Sequence, residues 1–248
     1  MKLLRQTILF CIWLAASVLV QAAETAGEVV LAQGNAFLQR EGTRLRVPVS
    51  AGHAVHAGDA FQTAGGGHLH IRLQDGSLIM LRPESQVIID EYSFRPEYPC
   101  AIRVRLRLEE GVMRTITGEG IRNTSHRFRL NTPIAAIGVS GTDFTTYTDS
   151  ASTRVSVAEG GVVMSPLGGT CEAAALGACA GSSARELLAE HDGLMLILNK
   201  DETVPDIVTA TDRAPDRMQP PLPAEPPLPG KTAMQRSETG NRGQTTVS

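Results

Sequence analysis

The feature that most constrains the fold is an alternation of apolar and polar side chains over short segments that end in glycine-containing turns. Residues 68–73 alternate in this way and are followed by Asp75-Gly76, and residues 103–108 end at Glu110-Gly111. A period of two is typical of a half-buried strand, and Asp-Gly is a hairpin signal. The pattern runs over residues 27–200 and predicts an all-β sandwich, barrel or solenoid. The only helical candidate is residues 184–189.

The two ends of the chain differ from this pattern. Lys2 and Arg5 precede an apolar run and a small-residue stretch that ends at Ala23, which predicts a secretory signal peptide over residues 1–23 and export of the mature chain. A retained membrane anchor is the alternative. At the other end, residues 210–248 are rich in proline and then polar, so we expect a disordered tail that acts as a spacer or a docking peptide.

The charge balance argues against a dedicated nucleic-acid binder. The chain has 23 basic and 26 acidic residues, and removal of Lys2 and Arg5 with the signal leaves 21 basic residues and a net charge near −5. No Gly-x-Ser-x-Gly motif, phosphate-binding loop or suitably placed carboxylate pair is found in the sequence. We therefore expect a binding protein without a cofactor rather than an enzyme.

Export would place the cysteines in an oxidising compartment. Cys171 and Cys179 bracket a short stretch of small residues, so we predict that they form a disulfide. A loop of this length is stabilised by roughly 2–3 kcal/mol in the chain-entropy model. Cys100 is then left over; it is either buried and inert, which we favour, or a partner in an intermolecular bond.

Two groups of side chains are candidates for a binding site. Alternating arginines would form a stripe on one strand face, which a second strand could extend; such a stripe could meet an acidic partner or an anionic glycan, and the alternative is a solvated outer face. The stripe consists of Arg103, Arg105, Arg107, Arg127 and Arg129. Histidines two apart on a strand can share a metal ion, but their loose spacing here favours exposed polar residues instead. These weak metal candidates are His53, His56, His68 and His70.

Several short motifs occur together in a fixed order. Residues 58–63, 69–73 and 75–77 are followed by the Thr-Pro pair at 132–133 and by two glycine-containing motifs at 139–144 and 155–160. Together they resemble the FecR domain over about residues 27–166. We expect the glycines to form corners, Phe144 to fill the core, and the acidic motif residues to accept hydrogen bonds from turn amides. These acidic residues are Asp75, Asp143 and Glu159.

The resemblance implies a periplasmic β-domain with its strands wound as a solenoid or twisted β-helix. FecR proteins relay the state of an outer-membrane transporter to a sigma factor across the inner membrane. Here only a handful of residues precede the apolar segment, so we do not expect an anti-sigma helix bundle. The resemblance therefore implies a module that binds an outer-membrane transporter or an inner-membrane signalling protein, and it supplies no catalytic residues. A glycan- or peptidoglycan-binding module is the alternative, although the chain has few aromatic residues on which sugars could stack.

Overall fold

The computed structural model describes residues 24–122, 124–219, 221–222 and 224–226. The predicted signal peptide at residues 1–23 lies outside these residues, as do residues 227–248 of the predicted tail. Within the described residues, no helix has both the length and the apolar character needed to cross a membrane.

Strands account for nearly all of the regular structure, which confirms the all-β prediction. They are β1 (Thr25–Gln33), β2 (Ala36–Gln39), β3 (Arg46–Pro48), β4 (Ala54–His56), β5 (Ala60–Thr63), β6 (His68–Leu73), β7 (Leu78–Leu81), β8 (Gln86–Ser93), β9 (Arg103–Ile116), β10 (Phe128–Asn131), β11 (Ala135–Thr148), β12 (Ser152–Pro166), β13 (Arg185–Leu188), β14 (Leu194–Asn199) and β15 (Asp206–Thr209). The helices are single turns, α1 (Glu119–Arg122) and α2 (Pro215–Met218), with 3-10 turns at Pro99–Ala101 and Ser125–Arg127.

The strands form one sheet with a long path and a side branch. The path runs β15-β14-β12-β11-β10-β9-β7-β6-β1-β4, and the branch runs from β9 through β8, β5 and β2 to β3. Among the described strands, β9 and β10 form the one parallel pair, and the other pairs are antiparallel. The solenoid or twisted β-helix that the resemblance implied is not confirmed by this open sheet.

The long strands β9 and β12 bend at glycines, so that the two halves of one strand pair with different neighbours. The pairing of β9 with β8 ends at Glu110, and its pairing with β11 begins at Gly111. Gly111 has φ 92°, and a Cβ there would lie 2.2 Å from Ser85 Oγ and 2.5 Å from the Glu84 carbonyl oxygen. Gly160 in β12 has φ 73° and the same kind of close contact, 2.3 Å from the Gly141 carbonyl oxygen. Both corners therefore require glycine, as the motif predicted for Gly160, whereas Gly111 was expected to end a strand and instead bends β9, which continues to Ile116.

A single hydrophobic core joins the two halves of each bent strand. Leu106 and Leu108 before the bend in β9, and Met113 after it, are fully buried in the same cluster. Phe144 also lies in this core, as predicted, and is fully buried. The bends therefore let one continuous sheet enclose its own apolar face.

Two local expectations differ from the structure. Residues 184–189, the helical candidate, contain strand β13, because Arg185–Leu188 pair in antiparallel register with β12. The first part of the expected disordered tail has a defined place: α2 and the segments that follow it to residue 226 contact the sheet. Its local composition predicted an extended chain, and the contacts that hold it involve residues more than 100 positions earlier in the sequence.

Candidate functional site

The arginines of β9 form a ladder of ion pairs with neighbouring carboxylates. Arg105 Nη1 lies 2.6 Å from Glu91 Oε2, and Arg103 pairs with the same carboxylate. Arg107 Nη2 lies 2.9 Å from Asp90 Oδ1, and Arg107 also pairs with Glu109; its hydrogen bonds to Asp90 raise its pKa. The row presents alternating charges of both signs rather than a purely cationic stripe.

The other two predicted arginines do not extend this row as an exposed surface. In the parallel register of β9 and β10, Arg129 lies opposite Arg105, but its side chain is fully buried. Arg127 lies in the 3-10 turn before β10 and is half-buried. The structure therefore keeps Arg103, Arg105 and Arg107 together and separates Arg127 and Arg129 from the surface they form.

Arg129 lies under a disulfide-closed loop. Cys171 and Cys179 are bonded, as predicted, with a Cα–Cα distance of 5.6 Å. The acceptors of the Arg129 guanidinium among the described residues are the two sulfurs, at 3.6 and 3.1 Å. Burial, with the nearby charge of Arg105, lowers the pKa of Arg129. The loop between the cysteines is also fixed by Arg105 Nη1 and Asn131 Nδ2, which donate to its carbonyl oxygens at 2.9 and 2.8 Å.

The remaining cysteine differs from expectation. Cys100 was expected to be buried, but it is exposed and unpaired in the described part of the chain, so that prediction is wrong. It lies in the 3-10 turn Pro99–Ala101, which has no buried residue and therefore leaves the thiol at the surface.

The four histidines occupy three separate places. His53 bonds within its own turn to Ser50, and His56 lies beside Asp59 on the strand β4 side of the sheet. His68 and His70 share one face of β6 and are both more than nine-tenths buried, in contrast to the predicted exposed face. In the described part of the chain, no three metal-ligating side chains converge.

The buried histidines belong to a charged cluster that the sequence motifs did not reveal. Arg82 follows β7, and Arg114 lies in β9 beyond its bend; both are 2% exposed. Arg114 forms a two-pronged pair with Asp143, Nε to Oδ1 at 2.8 Å and Nη2 to Oδ2 at 2.6 Å. Asp143 therefore binds a guanidinium rather than turn amides, whereas Asp75 accepts hydrogen bonds from the Ser77 amide and hydroxyl as expected. The sequence feature that could have revealed this cluster is Arg114, an arginine within the largely apolar stretch around Met113.

The C-terminal strap, which we define as residues 215–219, 221–222 and 224–226, covers this cluster. Arg82 Nη1 donates to the carbonyl oxygens of Pro215 and Asp216, at 3.4 and 3.3 Å, and also to that of Gln219. Arg114 Nη1 donates to the carbonyl oxygen of Pro226. Two side chains of the sheet thus bind the backbone of the strap at both of its ends.

The strap places one carboxylate between the two arginines. Glu225 Oε2 lies 3.4 Å from Arg82 Nη2 and 3.8 Å from Arg114 Nη1, and its side chain is 1% exposed. Burial lowers the pKa of His68 and of His70, and the negative charge of Glu225 opposes that shift in both. Two arginines, two carboxylates and two histidines therefore form one buried polar site under the strap.

An open cleft of about 1080 Å³ begins where the strap reaches Met218 and Gln219. Its lining includes Lys200 and four acidic residues: Glu84, Glu109, Glu110 and Asp149. Glu109 also belongs to the ladder, through Arg107. The ladder, the cleft and the strap thus lie along one continuous part of the surface.

Comparison with known proteins supports the resemblance to the FecR domain. Residues 59–163 match the family described as FecR protein. These residues extend from the Asp59 turn into β12 and include the ladder and the Arg114–Asp143 pair. No curated protein is similar to the chain.

Among solved structures, two of a candidate anti-sigma factor from Parabacteroides distasonis are similar to this chain, at 1.65 and 2.50 Å resolution. Both are 18% identical, with TM-scores of 0.43 and 0.42. The aligned part covers 60% of this chain and 59% of theirs.

Proposed function

We propose that this chain, in which residues 59–163 match the FecR protein family, is a signal-transduction module that binds another protein of the cell envelope. The family match carries the proposal, since it coincides with the strands that position the ladder. The module works by binding and not by catalysis. Its motif residues support this, because they build corners and core: Gly160 turns β12, and Phe144 is fully buried.

We place the module in the periplasm. The charged and apolar pattern of residues 1–23 favours export through a signal peptide. The Cys171–Cys179 disulfide supports an oxidising compartment, where such bonds persist. The proposed partner is accordingly an outer-membrane transporter or an inner-membrane signalling protein.

The ladder is the surface that we assign to this partner. Arg103, Arg105 and Arg107 lie in a row on one face of β9, each paired with a carboxylate. Such a row favours a partner strand or loop that carries both signs of charge in a matching order, because complementary charges set orientation and rate of encounter. A polyanion such as a glycan sulfate would gain little binding energy from this row, because its arginines are already paired with carboxylates.

Cross-linking in the native cells tests the proposal. Tagged full-length chain is cross-linked, and the attached species are identified by mass spectrometry for the unchanged chain and for Arg103→Ser/Arg105→Ser/Arg107→Ser. The matched control changes three exposed arginines elsewhere to serine: Arg44, Arg185 and Arg213. We expect recovery of a transporter or an inner-membrane signalling protein, lost in the ladder variant and kept in the control. Recovery of glycan or lipid alone would overturn the proposal, and sedimentation with insoluble cell wall would then test the glycan-binding alternative.

A further inference from the structure

The strap is held in a way that depends little on its own sequence. Arg82 and Arg114 donate to the carbonyl oxygens of Pro215, Asp216, Gln219 and Pro226, groups that every peptide carries. Three of these carbonyl oxygens belong to α2 or to Gln219, which ends it, and the fourth belongs to Pro226 in the proline-rich segment that follows. The one side chain that enters the buried site is the carboxylate of Glu225.

The charges of the site are balanced only with this carboxylate in place. Arg114 is matched by Asp143, which belongs to the sheet, whereas Arg82 has its carboxylate partner in Glu225 of the strap. Departure of the strap would leave the Arg82 guanidinium without that partner, beside Arg114 and two histidines. With the strap away, this guanidinium would face water without a carboxylate, and a ligand that brings one would restore a charge-assisted hydrogen bond there.

The strap does not supply a hydrogen-bond partner to every buried polar atom of the site among the described residues. Four buried polar atoms there have no hydrogen-bond partner in the described part of the chain: His68 Nδ1, His70 Nε2, Arg82 Nε and Glu225 Oε1. The contacts of Glu225, at 3.4 and 3.8 Å, are also longer than the 2.6 and 2.8 Å contacts of Asp143. Charge-assisted hydrogen bonds are normally about 2.7–2.9 Å long. Glu225, which belongs to the strap, is therefore held less closely than Asp143, which belongs to the sheet.

We propose that the groove formed by Arg82, Arg114, His68 and His70 is a binding site for a peptide segment that places one carboxylate between the two arginines. The strap occupies this site in the free chain, and a segment of a partner protein with the same chemistry binds by displacing it. The inference goes beyond the ladder and does not depend on it. Loss of the ladder interaction and loss of groove binding are therefore separate results.

A peptide-binding experiment with the full-length chain tests the proposal. The probe is a fluorescent synthetic peptide with the sequence of residues 212–229, and its binding is measured by anisotropy. Glu225→Gln in the chain weakens the resident strap, so we expect the peptide to bind this variant about tenfold or more tightly than the unchanged chain. Charged hydrogen bonds are worth about 1.5–3 kcal/mol, and 1.4 kcal/mol is tenfold in affinity.

Two controls make the result specific. Glu190→Gln removes an exposed carboxylate outside the strap and should leave peptide binding as in the unchanged chain. A second peptide with glutamine at the position of Glu225 should bind the Glu225→Gln chain about tenfold or more weakly, because it lacks the carboxylate that lies between Arg82 and Arg114, while Asp212 and Asp216 are unchanged. Equal binding of both peptides, or no binding of either to the Glu225→Gln chain, would overturn the proposal.

Discussion

At the scale of single residues, one cluster of buried charges lies between the sheet and the strap. Arg82, Arg114 and Asp143 lie on the face of the sheet opposite the hydrophobic core, and the strap shields them from water. Burying a charge is tolerated when it is paired with good geometry, as in the two-pronged contact of Arg114 with Asp143. The same rule predicts what happens when one partner is removed.

We expect Asp143→Asn to lower the free energy of unfolding by about 3–5 kcal/mol, because it leaves the Arg114 guanidinium buried without its charge partner. The double change Arg114→Met/Asp143→Leu should recover much of this loss, since it removes both charges. Urea denaturation measures all three chains. Asp192→Asn, at an exposed aspartate, is the matched control and should change stability little. A loss below about 1 kcal/mol for Asp143→Asn would contradict the buried pair.

The histidines under the strap predict a dependence of stability on pH. Burial lowers the pKa of His68 and His70 from the ordinary value of 6.5, so the unfolded chain binds these protons more readily than the folded chain. The free energy of unfolding should therefore have its full value above about pH 6.5 and fall as the pH drops through the folded-state pKa values. His68→Gln/His70→Gln should flatten this fall in denaturation curves recorded between pH 8 and 5. An unchanged slope in that variant would assign the pH dependence to other groups.

At the scale of elements, the alternation of apolar and polar residues predicted the strands that show it and missed one that does not. It located β6 and the first half of β9, because each has one face on the core and one towards polar surroundings. It failed for β13, where Arg185, Glu186 and the two leucines give no alternation, and the pairing with β12 decides the conformation. Tertiary pairing of this kind overrides local propensity.

The disulfide loop is an element that the sequence did predict, and its contribution can be measured. We expect Cys171→Ser/Cys179→Ser to lower the free energy of unfolding by roughly 2–3 kcal/mol, because the unfolded chain regains the freedom that the closed loop removes. Reduction of the unchanged protein with a thiol should give the same loss in thermal or urea denaturation. Cys100→Ser, at the exposed free cysteine, is the control and should leave stability unchanged. Equal stability of the reduced and oxidised chains would contradict this prediction.

At the scale of the whole molecule, the sequence predicted the all-β class and the resemblance to FecR that residues 59–163 bear out, but not the candidate site. Cys171 and Cys179 lie close in sequence, so their pairing could be inferred directly. Arg82 and Glu225 are separated by 143 positions, and no periodicity links them. Only the order of the strands brings β7 and β9 side by side beneath the strap. Local patterns therefore predict the parts of a sheet, whereas a site between distant parts requires the topology.

The same separation has a consequence for the order in which the molecule assembles. The groove that receives Glu225 exists only after β7 has paired with β9, so we expect the strap to dock after that pairing. Long-range contacts of this kind usually form late, after the entropy of closing the chain has been offset by the earlier pairings. A newly made chain would therefore pass through a period with its carboxylate-binding groove vacant, and its own strap would compete there with any partner segment already present.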